Sequence, residues 1–245
     1  MNTHQASTSM TVLVVGGAGG VGEGVVRALL DDGATVVATG RDATRLADLA
    51  ERVGSDRLFV EQLDALAADL DHRAAELSAR FGAWDGVVVS VATWGDQGRK
   101  PALQLTDAEW SDLVDGNLTS VFRLYRAFLP RLASDGALIQ LNGMSADIPF
   151  PGNAGVALTA AASKSLTRTL AAEIGGRGPR VYEIILGMVR TRARQLAGID
   201  DVRWLDATTD VGRHVAGLVA GTSPLAGEAL HYLVDPVSGP QAGRD

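Results

Sequence analysis

The sequence has no cysteine. Disulfides, thiolate metal sites and cysteine nucleophiles are therefore all excluded. It has no apolar run approaching the ~20 residues needed to cross a bilayer. Its first ten residues are polar and lack the apolar stretch of a secretory signal, so the chain reads as cytoplasmic. It has no cluster of lysine and arginine, and its formal net charge is -7, which argues against a nucleic-acid partner. An acidic balance still permits phosphate ligands, because a helix N-terminus binds anions without help from basic side chains. Repeats, low-complexity tracts and Pro/Ser-rich linkers are missing as well. The 245 residues therefore read as one domain spanning 1–245, with residues 1–9 expected to be disordered.

What is present is glycine, 29 residues of it, and a regular alternation of two patterns. Short β-branched or apolar runs predict strands over Thr11–Val15, Thr35–Thr39, Leu58–Gln62, Gly86–Val91, Ala137–Leu141, Val181–Leu186 and Ala229–Asp235. Helical apolar spacing predicts helices over Gly20–Asp32, Ala43–Val53, Leu66–Phe81, Asp107–Ala133 and Val156–Gly175. About seven strands alternating with helices imply an α/β fold, a doubly wound parallel sheet of Rossmann type with helices on both faces. The segment 187–209 is the least regular. It follows a strand end, where such folds bind ligands, and is expected either to be a substrate lid or to be a surface loop.

The strongest local signal is Val15-Gly16-Gly17-Ala18-Gly19-Gly20-Val21-Gly22, placed between the first strand and the first helix. Gly16 suits a tight turn, Gly20 a close approach to a pyrophosphate, and Gly22 close helix–sheet packing. The second strand ends Gly40-Arg41 with no acidic residue to bind an adenosine ribose. Gly40 leaves room and Arg41 can pair with a 2′-phosphate, which favours NADP(H) over NAD(H). Asp42 fits as the N-cap of the next helix.

These features resemble the short-chain dehydrogenase/reductase family over nearly the whole chain. The glycine spacing matches, with Val15 where threonine is usual. Asp64 resembles the residue that caps the adenine pocket, Trp110 and Asn117 the family's Trp…Asn-Leu helix, and Ala161-Ala162-Ser163-Lys164 the tail of its active-site helix. Arg180 to Thr191 resembles the strand and turn that close on the nicotinamide, and Gly227 to Asp235 the last strand. The resemblance implies a cofactor set of Gly16, Gly17, Gly19, Gly20, Val21, Gly22, Arg41, Asp64, Ala92, Lys164 and Thr191. It also implies a homo-oligomer paired through the helices within Asp107–Ala133 and Val156–Gly175.

Proton-handling positions depart from the pattern. The family's Tyr-x-x-x-Lys places Ala160 where tyrosine should be, and Gly143 aligns with the catalytic serine. The Asn-Asn-Ala-Gly turn reads Val89-Ser90-Val91-Ala92, and Leu186 replaces a proline. Without its acid, a ketone reductase loses about 10²–10⁴-fold in rate. The candidate catalytic set is accordingly Asn117, Lys164, Ser145 and Asp147, with Ser145 or Thr93 as oxyanion donors and Asp147 as a substitute acid or a loop residue. Tyr125, Tyr182 and Tyr232 are expected in core or interface positions away from the site, and His214 and His231 on a helix and a strand. Trp94, Met144, Phe150, Met188 and Trp204 fall on loops after strand ends and suggest an apolar substrate pocket, suited to a bulky polyketide or terpenoid intermediate. Three readings remain open: an NADPH-dependent reductase with unusual proton delivery, a non-redox enzyme (cyclase, dehydratase or isomerase) in the same cleft, and a silent NADP-binding paralogue.

Overall fold

The computed structural model describes residues 9–243. The disorder expected for residues 1–9 lies outside the described residues except at Ser9, whose hydroxyl donates to the Gly33 carbonyl.

Eight strands form one sheet. In chain order they are β1 (Thr11–Val15), β2 (Thr35–Gly40), β3 (Leu58–Gln62), β4 (Trp84–Val89), β5 (Leu132–Gly143), β6 (Arg180–Leu186), β9 (Leu230–Leu233) and β10 (Pro240–Ala242). Their spatial order is β10-β9-β6-β5-β4-β1-β2-β3. Every neighbour pair is parallel except β9 with β10. The order reverses between β1 and β4, which opens a crevice at the carboxyl ends of these two strands. Two further strands, β7 (Val189–Arg190) and β8 (Leu205–Asp206), pair only with each other.

The central strands are almost wholly apolar, as burial on both faces requires. Val12 and Val14 point into a cluster with Val25, Val26 and Leu29 of helix α1 (Gly20–Asp31). Leu13 and Val15 point the other way, into a cluster with Trp84, Leu124 and Phe128. Helices therefore cover both faces: α1, α2 (Ala43–Val53) and α8 (Arg213–Val219) on one, α3 (Leu70–Phe81), α4 (Asp107–Val114), α5 (Ser120–Phe128) and α6 (Ala154–Ile174) on the other.

Several expectations need correction. The fourth strand begins at Trp84 and ends at Val89, two residues early at each end, because the fully buried Trp84 ring belongs to it and Val91 to the following loop. The continuous helix expected over 107–133 is broken. A π-helical turn at Asp115–Thr119 separates α4 from α5, and the last turn tightens at Leu129–Arg131 around Pro130. Leu132 already pairs with Trp84 in the sheet. The sheet is not wholly parallel, since the edge strand β10 was not expected and runs antiparallel to β9. Helix α8 bears His214, which is expected on a helix. The segment 187–209 is more ordered than its sequence suggests. It holds β7, the short helix α7 (Arg192–Leu196) and β8, stapled by a bidentate Arg190–Asp200 pair with both contacts at 2.8 Å.

Candidate active site

The turn after β1 is built by backbone constraints. The N–H groups of Gly16 and Gly17 both donate to the Thr39 carbonyl, at 2.8 and 3.1 Å, which ties the turn to the end of β2. Gly16 has φ +81°, and a Cβ there would overlap the Ser90 carbonyl. A Cβ on Gly22 would overlap the Gly16 carbonyl, so the first turn of α1 packs directly on the loop. Gly19 caps α1 without any side-chain bond to the first-turn N–H groups. Those donors are left for an anion, with the positive end of the helix behind them. Glu23 is a carboxylate in this first turn and would repel a phosphate. Burial raises its pKa, but hydrogen bonds from Arg52 and Arg27, each at 2.9 Å, outweigh this and leave it below the usual range. Its charge is thereby neutralised in place.

In front of this turn lies a cavity of about 660 Å³. Of the sequence-derived cofactor residues, Gly16, Gly19, Arg41, Asp64 and Ala92 line it. Gly17, Gly20, Val21 and Gly22 do not. Gly17 faces Ala38, Val21 packs on the core, and a Cβ on Gly20 would stand 2.6 Å from Thr191 Cβ. The void at Gly20 is thus filled by Thr191, which caps α7 and whose hydroxyl accepts the Arg194 N–H.

On the cavity wall formed by the end of β2 and the start of α2, Asp42 caps α2 by accepting from Thr44 N and Arg45 N. Gln62 Nε2 donates to the Arg41 carbonyl at 2.8 Å and fixes that backbone. Arg45, which sequence reasoning missed, also lines the cavity and donates to the Ala18 carbonyl at 3.0 Å. Two arginines therefore line the cavity just beyond the end of the second strand. Asp64 accepts the Leu66 N–H and shapes its own turn.

Asn117 lies in the π-helical turn. Its Oδ1 accepts from Thr93 N, and its Nδ2 donates to the carbonyls of Thr93 and Leu113. Nearly buried, it pins the loop after β4 against the helix, and that loop forms the cavity wall at Ser90–Thr93.

Lys164 and Asp147 lie outside this cavity, beyond the carboxyl ends of β5 and β6. Lys164 Nζ donates to Asp147 Oδ1 at 2.5 Å and to the Tyr232 hydroxyl at 2.8 Å, and Tyr232 donates to Asp147 Oδ2 at 2.9 Å. Burial alone would lower the Lys164 pKa, but the bonds to Asp147 and Tyr232 raise it above the ordinary value. The expectation that Tyr232 lies away from the site is therefore wrong, because β9 delivers it to the lysine. Tyr125 and Tyr182 are core residues as expected. Tyr125 donates to Gln140 and shares a hydrogen bond with Thr167, and Tyr182 donates to the Ala226 carbonyl. His214, on α8, and His231, on β9, hydrogen-bond each other at 2.9 Å in the core.

Ala160 is one helical turn before Lys164 and nearly buried, and its carbonyl accepts from Asn142 Nδ2. The same Asn142 nitrogen donates to Glu183, a fully buried carboxyl that the sequence reading had passed over. Burial drives the Glu183 pKa up to about 7, and Asn142 and the nearby Lys164 charge offset this only in part. Ser145 sits in the short turn Met144–Ala146, two residues before Asp147.

Of the five apolar candidates, Trp94 and Phe150 meet edge to face at 5.8 Å, with Arg99 stacked on Phe150. Met188 and Trp204 flank the β7–β8 pair, where Leu205 N donates to the Met188 carbonyl and Arg194 covers the Trp204 ring. Met144 lies on the turn with Ser145. None of the five lines the 660 Å³ cavity.

Comparison with known proteins agrees with this architecture. The family model described as Enoyl-(Acyl carrier protein) reductase matches residues 16–237. The NADP-dependent 3-hydroxy acid dehydrogenase YdfG of Escherichia coli is 29% identical over 184 residues, covering 74% of this chain and 73% of its own length. The serine 3-dehydrogenase of Agrobacterium fabrum is 29% identical over 189 residues, covering 75% and 73%. Among solved structures, an NADPH-bound short chain oxidoreductase from Pseudomonas aeruginosa, described as containing an atypical catalytic center, superposes with TM-score 0.74 at 28% identity, covering 89% of this chain and 91% of that one. A short-chain dehydrogenase/reductase from Brucella melitensis gives 0.76 at 27% identity, covering 89% and 90%. The chain belongs to the short-chain dehydrogenase/reductase family, whose matched relatives are oxidoreductases.

Proposed function

We propose that this chain is a single-domain NADP(H)-dependent reductase that delivers its proton by a route other than the family's α6 tyrosine. The observation that carries the nucleotide choice is the pair Arg41 and Arg45 lining the cavity, with the carboxylate between them, Asp42, taken up in capping α2. A 2′-phosphate would accept charge-assisted hydrogen bonds from both. The NADP dependence of the Escherichia coli relative and the NADPH bound to the Pseudomonas neighbour point the same way.

The residues present fit the nucleotide. Side chains on Gly16 or Gly22 would collide with the backbone that shapes the turn, and the first turn of α1 has no side-chain cap on its N–H groups. In this reading Gly16 and Gly19 hold the pyrophosphate, Asp64 and Arg41 border the adenosine, and Lys164 and Thr191 approach the nicotinamide half. The bound nucleotide supplies a hydride. Asn117 keeps the loop after β4 in position, and Ser145 and Thr93 offer hydroxyls to a substrate oxygen. The apolar side chains on the two rims, Trp94 with Phe150 and Met188 with Trp204, favour a bulky hydrophobic substrate such as a natural-product intermediate. Trp110, Phe122 and Leu158 are exposed on α4, α5 and α6, as an oligomer built through those helices requires.

Ala160 favours a second reading, a silent nucleotide-binding paralogue, because alanine carries no proton. Titration with NADPH, NADH and NADP⁺ by nicotinamide fluorescence and calorimetry tests the nucleotide reading. Micromolar binding with NADPH preferred is expected, and no binding of any nucleotide overturns it. Turnover of enones, imines, quinones and aromatic carbonyls by the NADPH-loaded protein then separates the reductase from the silent paralogue.

A further inference from the structure

The triangle of Lys164, Asp147 and Tyr232 is assembled from α6, the loop after β5 and β9. Local sequence does not force these groups together, since Tyr232 is 68 residues from the lysine and 85 from the aspartate. The sheet does so instead. β9 lies beside β6 with Ile185 opposite Tyr232, which puts the phenol near the carboxyl edge of the sheet, on the same face as Glu183. Ligands of doubly wound folds bind outside that edge. The Lys164 and Asp147 side chains keep 15% and 28% of their surface exposed, so the triangle is open to a ligand.

Lys164 thus has a phenol oxygen at 2.8 Å, although the position one turn before it on its own helix is alanine. The ammonium also lies 5.3 Å from the centre of the Tyr232 ring. The other hydroxyls serve less well. Tyr125 is sealed in the core, and burial and the Glu183 charge hold its proton well above the usual phenol range. Tyr182 is committed to the Ala226 carbonyl. Asp147 accepts from two donors at once. We propose that Tyr232, supplied by β9, is the catalytic acid and base of this chain, in the role that α6 leaves unfilled at Ala160. This rests on the reductase reading above.

In the reducing direction the hydroxyl turns from Asp147 Oδ2 to the substrate oxygen. The phenol O–H bond breaks and the alcohol O–H bond forms, while the substrate carbon takes the hydride that a reduced nicotinamide supplies. The electron pair left on the phenol oxygen is held by the Lys164 ammonium, and water restores the proton past the half-exposed Asp147. In the oxidising direction every movement reverses. Asp147 is a positioning residue that holds the lysine and the phenol together between turnovers.

The first test uses the intact protein labelled with ¹³C at the tyrosine ring carbon that bears oxygen. There are three tyrosines, so there are three signals, and Tyr232→Phe assigns one of them. Saturation with NADP⁺, checked by calorimetry, should move the Tyr232 signal and leave those of Tyr125 and Tyr182 in place. NADP⁺ that binds without moving the Tyr232 signal overturns the proposal but not the nucleotide reading, and no NADP⁺ binding overturns both. The second test is reduction of a panel of aromatic aldehydes and ketones with NADPH. Tyr232→Phe should lower kcat by about 10²-fold or more with the NADPH Kd unchanged. Adding Ala160→Tyr to that variant should restore part of the rate. A Tyr232→Phe rate within about threefold of wild type overturns the proposal, as does a wild-type chain that binds NADPH and reduces none of the panel. Should Tyr232→Phe fail to fold, the ring-carbon signal that responds to Lys164→Met in the wild-type background provides the assignment.

Discussion

Glu183→Gln tests how a buried carboxyl shapes the stability of this fold. Glu183 is fully buried between the sheet and α6. Its Oε1 accepts from Asn142 Nδ2 at 2.8 Å, and its Oε2 has no hydrogen-bond partner. Burial raises its pKa from 4.5 to about 7. A carboxyl whose folded pKa is raised binds more protons folded than unfolded, so its contribution to stability falls as pH rises from about 4.5 to about 7 and beyond. A displacement of about 2.5 pH units corresponds to about 3 kcal/mol in all, of which about 2.5 kcal/mol is lost between about pH 5 and about pH 8. Glutamine keeps an acceptor for Asn142 but does not titrate. The assay is urea unfolding of both proteins at several pH values and one protein concentration. Subtracting the two stability curves removes groups common to both, such as Glu23 and Asp206. The difference should tilt toward the variant by about 2–3 kcal/mol from acid to alkaline pH, close to a 1 M shift in midpoint at a slope of about 3 kcal/mol/M. At acid pH the variant should be the less stable of the two, because its new N–H donors lack partners at a cost of about 1–3 kcal/mol. Parallel curves would refute the argument, since Glu183 would then be charged throughout and compensated by something not identified above.

The remaining predictions concern the glycine turn, the arginines and the histidine pair. Gly22→Ala places a methyl on the Gly16 carbonyl and should cost at least about 2 kcal/mol in thermal or urea unfolding, with nucleotide binding lost. A variant that melts like wild type would show that α1 can move freely. Arg41→Ala and Arg45→Ala should each weaken NADPH about 10- to 100-fold and leave NADH unchanged, measured by fluorescence titration. Equal losses for both nucleotides would place the 2′-phosphate elsewhere. His214 is pushed down to about 4, first by desolvation and then by the neighbouring His231 charge. A depressed histidine withdraws stability as pH falls from about 6.5 to about 4, by up to about 3 kcal/mol. His214→Gln should flatten that acid limb, and an unchanged limb would assign it to other groups. Light scattering should return a dimer or larger, and a monomer would remove the oligomer reading.

Much of this fold is legible locally. The apolar runs of β1 to β6 and the N-cap of α2 follow from patterns a few residues long, and helix Ala43–Val53 coincides with its expected bounds. The glycine turn is legible because steric exclusion acts between near neighbours such as Gly16 and Gly22. The failures share one cause, which is that the deciding contact is distant. Trp84 belongs to a strand because of the cluster it enters, and Leu132 leaves the helix because β4 is waiting for it. Tyr232 looks like a core tyrosine until β9 is registered against β6, and the orientation of its phenol depends on that pairing. A signal was present nonetheless. His231 and Tyr232 must point to opposite faces, so if one fills the core on the α8 side, the other must face α6 and Lys164. Arg45 could have been found too, since Asp42 as an N-cap places it in the first turn of α2, beside the glycine turn.

The contacts of α1 carry a mechanical consequence. Gly20 receives the Thr191 side chain, and a Cβ on Gly24 would overlap the Ala207 carbonyl. Gly212 comes equally close to Ala28 and to the Gly24 carbonyl. Thr191 and Ala207 of the 187–209 segment are thus seated on α1 one turn apart, with α7 and Asp200 in the stretch between them. Anything that shifts the first turn of α1 pulls on both anchors together. The segment is accordingly tied to α1 at two points. Slower amide exchange from α7 through Trp204 when nucleotide is added would register that coupling, with no substrate needed.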